Sequence, residues 1–417
     1  MGGFLILLSI IYFRGNPLEQ LLAGYTTHHL DMVQRVLSQF RVMIFYISLL
    51  IWPHPGRLNL DHDFQPSYTL VDPISTVFAI VAILALLGLA FFLARKERLL
   101  SFCILWYLGN LVIESSFIGL ELAFEHRNYL PSMLMVFMVV QLSFRFVKPK
   151  WLAALMLFAV ATVFAFWTVE RNDVWRAPEL IWLDSAEKAP QNPRPLNNLG
   201  VALANQGRYQ EATEQYHKAL RLNPKYADAY ANLGYALARQ GKIEDAISHF
   251  ETALKIKPNY HEAHSNLGIA LAIDGRQQEA IAHFRIAINI NPNFAEAHNN
   301  LGVALMRQRQ LQAARIHFST ALQLDPNFAS AHNNLGMILV GQGHLEEAIV
   351  HFSEALRIYP DYARARQNLQ EARSKQRMRN AENKKFHHRD TESTESRHGG
   401  IPWAGDGAQG KPSAAPR

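Results

Sequence analysis

An asparagine recurs every 34 residues in the second half of the chain, each time directly before a leucine. The six positions are Asn198, Asn232, Asn266, Asn300, Asn334 and Asn368. A carboxamide offers two N–H donors and an acceptor oxygen, so a row of them can hold an extended peptide backbone without reading its side chains. The alternative is that each amide only bonds to a neighbouring helix. The pattern predicts a peptide-binding site at these six residues.

Histidines repeat with the same spacing and have the right chemistry for a metal ion. They stand at His249, His283, His317 and His351. Equivalent positions in adjacent repeats are separated by about two helix packings of roughly 8 to 10 Å each, whereas zinc holds its ligands at ~2.1 Å. One ion cannot bridge two copies, so we predict a solvated helix face and no metal site. The single cysteine, Cys103, excludes a multi-cysteine zinc site and an intrachain disulfide.

Acidic and histidine side chains also cluster in the first third of the chain. Asp61 and Asp63 lie in one polar segment, and Glu125 and His126 lie in another. Carboxylates near His and Arg can bind a metal or a phosphate head group, or act as acid and base. The alternative is a solvated loop. Glu114 interrupts an apolar run and is costly to bury unless paired, which indicates an internal polar contact.

Apolar runs in residues 73–169 predict about four transmembrane helices. Residues 74–94 and 151–169 carry no charge and are long enough to cross a hydrocarbon core of ~30 Å. Residues 99–120 and 129–144 are the other two predicted spans. In residues 1–72 the apolar stretches 3–13 and 42–52 have about half the length of a span. This part is predicted to be a partial membrane domain of short or interfacial segments with a polar loop.

Charge in the loops predicts the orientation of these spans. One loop carries Arg95, Lys96 and Arg98, and another carries Arg145, Lys148 and Lys150, whereas the loop between them has Arg127 alone. Short basic loops stay in the cytoplasm. Everything after residue 169 is therefore predicted to lie on the other side of the membrane, in the periplasm of a bacterium or in a lumen.

Prolines at 190, 224, 258, 292, 326 and 360 mark a repeat of 34 residues. Small residues, leucines and an aromatic keep the same register, and each unit is predicted to form two amphipathic helices that pack closely. Five units occupy 193–226, 227–260, 261–294, 295–328 and 329–362. We expect a linker and capping helix at 170–192, a capping helix at 363–375, and a disordered tail at 376–417 that is rich in Gly and Pro near its end.

The order N-L-G, A, F/Y, A, P in each unit resembles the tetratricopeptide repeat. In that family the first helix of each repeat lines the concave face, which implies that the six asparagines face the groove. Residues 298–302 and 332–336 read H-N-N-L-G and resemble the asparagine ladder of the O-linked N-acetylglucosamine transferase superhelix. One residue departs from the repeat pattern, because Arg309 replaces the glycine between the two helices.

The segments W-P-H-P-G-R-L-N-L-D-H-D-F and E-H-R-N-Y-L-P-S resemble the transmembrane-and-tetratricopeptide proteins. These are membrane glycosyltransferases of the C-type fold, which take mannose from a polyprenyl-phosphate donor. In that family the acidic catalytic residue lies in the loop after the first span, upstream of anything matched here. The resemblance implies a chain truncated at its N-terminus, in which Asp61, Asp63, Glu125 and His126 are at most the remaining wall of a site.

Composition restricts the remaining classes. The chain is 49% hydrophobic and 18% charged, and its net charge of +6 is concentrated after residue 373, which gives no basis for a nucleic-acid partner. We predict an all-α protein with a polytopic transmembrane region followed by a tetratricopeptide α-solenoid. It is expected to sit in the bilayer of a bacterial inner membrane, to bind a protein or peptide, and to need no cofactor. The alternative is part of a protein O-glycosyltransferase that uses a polyprenyl-phosphate sugar; for the chain as it stands, non-enzymatic function is favoured.

Overall fold

The computed structural model describes residues 32–59, 66–114 and 129–398. Within these ranges all regular structure is helical and no β-strand occurs. A single 3-10 turn, Pro55–Arg57, stands among the α-helices. The predicted fold class, apolar helices followed by helical repeats, is confirmed.

The chain divides into two compact units, residues 1–256 and residues 257–417. The apolar helices of the first unit are α1 (Met32–Ile51), α2 (Ser75–Leu93), α3 (Arg98–Glu114), α4 (Tyr129–Phe146) and α5 (Lys150–Val174). It continues with α6 (Pro178–Lys188), α7 (Pro193–Asn205), α8 (Tyr209–Leu222), α9 (Ala227–Arg239) and α10 (Ile243–Ile256).

The second unit begins with the third helical hairpin. Its helices are α11 (His261–Ile273), α12 (Gln277–Ile290), α13 (Ala295–Arg307), α14 (Leu311–Leu324), α15 (Ala329–Gly341), α16 (Leu345–Ile358) and α17 (Ala363–His398). We call α7, α9, α11, α13 and α15 the A helices, and the helix that follows each of them its B helix. Each A helix packs against its own B helix.

The apolar helices pack as consecutive hairpins. Buried aromatic and aliphatic side chains of α1 and α3, among them Tyr46 and Tyr107, form one hydrophobic cluster. Glu97, in the turn between α2 and α3, accepts two hydrogen bonds of 2.8 Å from Arg145 at the end of α4. This ion pair holds the turn after α2 close to the turn before α5.

Helix α1 differs from the expectation for this region. The stretch 42–52 is, as far as Ile51, the second half of a 20-residue helix that starts at Met32. Arg35 and Gln39 interrupt the apolar run in the sequence, but both side chains are buried inside the helical bundle. The length of the apolar run in the sequence therefore underestimates the length of this helix. The other short apolar stretch, 3–13, lies outside the described residues.

Three helices among the described residues are long and apolar enough to cross a membrane, by length and composition. They are α1, α2 and α5. Helices α3 and α4 have shorter apolar stretches, Arg98–Leu111 and Ser132–Phe146. This set differs from the four spans predicted from the sequence, because it includes α1 and leaves out α3 and α4. The predicted span 99–120 overlaps α3, whose described part ends at Glu114.

The repeat hairpins form because glycine on each A helix lets an aromatic ring of the B helix come close. At Gly268 an added Cβ would lie 2.6 Å from Cε1 of Phe284, which leaves no room for any side chain. The same contact recurs in all five repeats. Buried alanines at both helices, such as Ala280 and Ala287, keep the two backbones near each other.

The turn between the two helices needs a left-handed residue. Four repeats place glycine there, and Gly275 has φ +90°. The fourth repeat has Arg309 with φ +60°, a conformation that is strained for a residue with a side chain. The replacement of glycine by Arg309 therefore strains the backbone at this turn.

The C-terminal helix is longer than expected. We predicted a cap at 363–375 and a disordered tail from 376, but α17 runs from Ala363 to His398. The extension contains charged residues with good helix propensity, and its sequence has no Gly or Pro between Ala363 and His398. Arg379 donates to the carbonyl of Gly343 at 3.1 Å, so the extension contacts the fifth repeat. Residues 399–417 lie outside the described residues.

Candidate functional site

The predicted asparagines all lie on A helices or on α17 and are partly exposed. We call them the amide row. Four of them donate a side-chain hydrogen bond to the residue 35 positions earlier, in the preceding repeat. These bonds join Asn232 to Asn197 (3.0 Å), Asn300 to Ser265 (3.3 Å), Asn334 to Asn299 (3.0 Å) and Asn368 to Asn333 (2.8 Å). The acceptors are 0% to 7% exposed.

The amide row therefore has a structural role that we had kept as the alternative. Each of these four side chains donates one N–H to a buried acceptor. Without the amide, that acceptor would lose this hydrogen bond. The second N–H and the oxygen of such an amide still have bonding capacity. Structural bonding and ligand contact are compatible at the same residue.

The other two asparagines do not donate such a bond. Asn198 accepts a hydrogen bond from Asn197 at 3.2 Å, whereas Asn266 differs from the other five. The residue 35 positions before it is Ala231, which has no polar side chain. Within the described part of the chain, Asn266 makes no side-chain hydrogen bond, although it is partly exposed like the other five. It is thus the member of the row whose amide is available entirely to a ligand.

A row of apolar side chains runs beside the amides, three residues later on the same A helices. Residues three apart share one helix face. The apolar row consists of Val201, Tyr235, Ile269, Val303 and Met337. Tyr235, Ile269 and Met337 are 39% to 40% exposed. The A helices thus present amides and exposed apolar groups side by side, which the sequence argument for the amides alone had missed.

A groove of about 190 Å³ opens between the A helices of the third and fourth repeats. Ile269 and Ile273 line it from α11, and Asn300, Val303 and Arg307 line it from α13. Ile273 is 61% exposed. The groove combines apolar walls with one amide and one guanidinium.

An arginine occupies a similar place in the second repeat. Arg239 stands 68 residues before Arg307, two repeats earlier in the same register, and lies over two aromatic rings. Its guanidinium carbon is 5.0 Å from the ring centre of Tyr209 and 5.8 Å from that of Tyr235. It also donates to the hydroxyl of Tyr235 at 2.9 Å. These contacts fix the position of a cation at the edge of the A-helix face.

The alternative catalytic residues are not placed by the structure. Asp61, Asp63, Glu125 and His126 lie outside the described residues. Among the described residues, a cavity of about 660 Å³ opens between the end of α1, the start of α4 and the last turns of α5. Its walls include Leu49, Val136 and Trp167, and Arg171 and Asn172 supply polar groups.

Arg171 is held by a buried ion pair. Its side chain is 9% exposed and lies 2.6 Å from Asp184, on α6. Lys188 bonds to the same carboxylate and donates to the backbone carbonyls of Pro55 and Leu58, each at 2.8 Å. This network ties α5, α6 and the turn after α1 together beside the cavity.

The histidine series was predicted to form a solvated helix face, but in the structure some of its members contact other histidines. Three of its members pair with a second histidine from the A helix of the same repeat, 19 residues earlier. The pairs are His264 with His283, His298 with His317, and His332 with His351. The signal was present in the sequence, because His264, His298 and His332 also recur every 34 residues.

Comparison with protein families identifies the repeats. Family models described as tetratricopeptide repeat match residues 197–261 and 293–361, and a model described as TPR repeat matches residues 270–309. The matches cover all five hairpins in part or in full. No match among these covers the apolar helices.

Two curated relatives share sequence with the chain. Protein O-mannosyl-transferase Tmtc2 of Drosophila melanogaster is 38% identical over 63 residues, which is 15% of this chain and 6% of the relative. Protein O-mannosyl-transferase TMTC1 of Homo sapiens is 29% identical over 219 residues, which is 47% of this chain and 24% of the relative. The matched segments thus span at most about a quarter of the length of these relatives.

Solved structures that resemble the chain are repeat proteins. YrrB, described as a TPR protein with an unusual peptide-binding site, is 25% identical, with 45% of this chain and 96% of YrrB covered at a TM-score of 0.35. TTC0263, a thermophilic TPR protein of Thermus thermophilus, is 23% identical, with 43% and 98% covered at a TM-score of 0.39. With the register of the five hairpins and the family matches, residues 197–361 are tetratricopeptide repeats.

Proposed function

We propose that the repeat region binds an extended protein or peptide segment along its A helices, in a chain anchored to the membrane by its apolar helices. The observation that carries this is the amide row beside the exposed apolar row. Amides can bond to the backbone of an extended chain, and apolar groups next to them can take its alternate side chains. Packing of the helices alone would not require both a row of amides and a row of exposed apolar side chains on the same face.

The chemistry of the face also indicates which peptides suit it. Arg307 lines the groove between the third and fourth repeats, and Arg239 is held at the equivalent place in the second repeat. Guanidinium groups bind carboxylates with two parallel hydrogen bonds. We expect a segment that carries apolar side chains and at least one acidic group.

The experiment is a binding assay on the full chain in lipid nanodiscs, with peptides selected from a random-sequence display library as probes. Glu in place of both Ile269 and Ile273 puts carboxylates into the groove and should weaken the selected peptides at least tenfold, or ~1.4 kcal/mol. The matched control replaces Ile316 and Val350, which are 66% and 61% exposed on B helices, with Glu. Equal losses in both variants would contradict binding at the A-helix face.

Orientation is the second element of the proposal. We place the repeats on the non-cytoplasmic side, because the turns at 95–98 and 145–150 are basic and short basic loops stay inside. The ion pair between Glu97 and Arg145 supports this, since it keeps both turns at one end of the bundle. Alkaline phosphatase fused after residue 398 should be active. An active cytoplasmic reporter at the same junction would reverse the orientation.

A second candidate is participation in sugar transfer to protein hydroxyls. Two observations favour it: both curated relatives are named protein O-mannosyl-transferases, and an apolar cavity with the cation Arg171 lies beside the segment that precedes Asp61. The test supplies the full chain with a mannosyl polyprenyl phosphate and an acceptor peptide. Transfer that depends on Asp61, Asp63, Glu125 or His126 would establish this activity, whereas wild-type chain without transfer would exclude it for the chain alone.

A further inference from the structure

Each of the last three repeats brings two imidazole rings together. The first comes from the fourth residue of the A helix and the second from the seventh residue of the B helix. The Nδ1 atoms are 3.0 Å apart in His264 and His283, 3.1 Å in His298 and His317, and 2.9 Å in His332 and His351. We call these three the histidine pairs.

The hydrogen bonds fix the tautomer of the first histidine in each pair. Its Nε2 lies 3.0 to 3.1 Å from the carbonyl oxygen of the proline six residues earlier, Pro258, Pro292 or Pro326. A carbonyl only accepts, so this Nε2 carries the proton and the neutral ring has a lone pair on Nδ1. The second histidine then donates from its own Nδ1. One exchangeable proton therefore lies between the two nitrogens of each pair.

The same geometry suits a cation in place of that proton. Two nitrogens bound side by side to one ion at ~2.0 to 2.1 Å lie roughly 2.9 to 3.4 Å apart. The observed separations fall in the lower part of this range or at its edge. Histidine ligands also usually donate their other N–H to a backbone carbonyl, which orients the ring. That contact is already made by His264, His298 and His332.

We propose that each histidine pair binds one divalent transition-metal ion of the copper, zinc and nickel class through its two Nδ1 atoms. To bind the ion, the two rings rotate until their lone pairs meet at a common point, and the proton of the second histidine moves to its Nε2. Both ligands stay neutral imidazoles, which suit these metals. The described residues hold no group of three or more His, Cys, Asp or Glu that could enclose an ion. Water or a ligand group fills the remaining positions.

Burial disfavours the charged form of three of these six rings. Burial lowers the pKa of His264, and burial followed by the neighbouring histidine lowers the pKa of His317 and His351. Metal ions compete with protons for these nitrogens. The lowered pKa values therefore reduce the competition of protons for His264, His317 and His351.

Charges near the pairs set an order of affinity. Glu347 and Glu354 both act on His351, and Glu279 lies close enough to His283 to interact with it. Arg285 instead acts on His317 and repels a cation there. We expect the fifth repeat to bind most tightly, the third less tightly and the fourth most weakly.

Other repeats show what the fold needs without a metal. Arg366, which stands 34 residues after His332, donates to the carbonyl of Pro360 at 2.7 Å. Capping this carbonyl is thus a structural task that another donor can perform. In the second repeat, Tyr230 takes the place of the first histidine and stacks on His249, with ring centres 5.9 Å apart. The second repeat is a natural unit without a pair.

The experiment titrates the full chain in detergent micelles with Cu²⁺ alone and counts bound ions by equilibrium dialysis. Electron paramagnetic resonance then counts the nitrogens coupled to each ion. The triple variant His283→Gln, His317→Gln, His351→Gln removes the second ligand of each pair. Glutamine is a mild choice because Gln215 holds this position in the first repeat. Wild-type chain should bind three ions more than this variant, each coupled to two nitrogens.

A gain-of-site variant sharpens the result. Tyr230→His creates a fourth pair with His249 and should add one ion to the wild-type count. Should the triple variant fail to fold, the single variants serve instead, and each should remove one ion. Equal counts in the wild-type chain and in folded variants that lack the second histidines would overturn the proposal and leave the pairs as hydrogen bonds only. The same conclusion would follow if the extra ions showed a single coupled nitrogen.

Discussion

The apolar helices and the repeat hairpins bury their side chains by different rules. In α5 the ring of Phe158 is 70% exposed, and the outward faces of α2 and α5 are as apolar as their inward faces. In the repeats, large apolar rings such as Phe284 are 2% exposed and lie against a glycine of the facing helix. In the repeats, an aromatic residue in register with a glycine of the facing helix is therefore buried inside the protein. In α1 to α5 an apolar residue is equally suited to contact with lipid.

The largest predicted effect would break this comparison if it failed. Phe284→Ala should destabilise the third repeat by about 3 to 5 kcal/mol, because it leaves a cavity in a packed core. Phe158→Ala removes the same ring from an exposed position and should change stability by less than about 1 kcal/mol. Hydrogen exchange of the α12 and α5 amides measures both. Similar losses in the two variants would show that Phe158 packs against protein.

The contrast also explains how much the sequence could predict. The spacing of 34 residues predicted the hairpins and their close packing, because small residues and an aromatic repeat in register. The structure adds which residues meet, such as Gly268 and Phe284. In α1 there is no such register. Arg35 and Gln39 interrupt the apolar run, so the run length did not predict the continuous helix from Met32 to Ile51. A run of apolar residues gives length but does not tell which face packs inward.

The histidine pairs show a different limit. We compared equivalent positions of adjacent repeats, which lie too far apart to share an ion. The contacts instead join two different positions of one repeat, such as His332 and His351, which helix packing brings together. A hairpin geometry, and not the period alone, is needed to foresee such a pair.

A second prediction sharpens the comparison where the apolar helices meet α6. Asp184→Asn removes the carboxylate that pairs with Arg171 at 2.6 Å, where the two side chains are 19% and 9% exposed. Removing one partner of a largely buried pair should cost about 3 kcal/mol. The exposed pair of Asp173 and Arg176 is the matched control, and Asp173→Asn should cost less than about 1 kcal/mol. Urea titration in detergent compares them, and equal losses would mean that burial does not set the strength.

A third prediction concerns the amide row. Asn334→Ala takes the hydrogen bond from Asn299, which is 7% exposed, and should cost about 1 to 3 kcal/mol of stability. Asn266→Ala removes no side-chain bond and should leave stability nearly unchanged. If the row contacts a peptide, both variants should weaken binding. Thermal melting and peptide titration on the same samples separate the two roles, and unaffected binding in Asn266→Ala would leave the row as structure only.

The smallest predicted effect tests whether the repeats follow one backbone rule throughout. Arg309 has φ +60° at a turn where the other four repeats have glycine with φ from +78° to +90°. A left-handed conformation costs a residue with a Cβ roughly 1 to 2 kcal/mol, whereas glycine adopts it freely at an entropic cost in the unfolded chain. Arg309→Gly should therefore stabilise the fourth repeat by about 1 kcal/mol. The reverse control, Gly275→Ala, has open space around the added Cβ and φ +90°, so it should destabilise the third repeat by a similar amount through backbone strain alone. Hydrogen exchange of the amides in α13 and α11 reports each repeat separately. A loss of stability in Arg309→Gly would mean that the arginine side chain contributes more than the turn conformation costs.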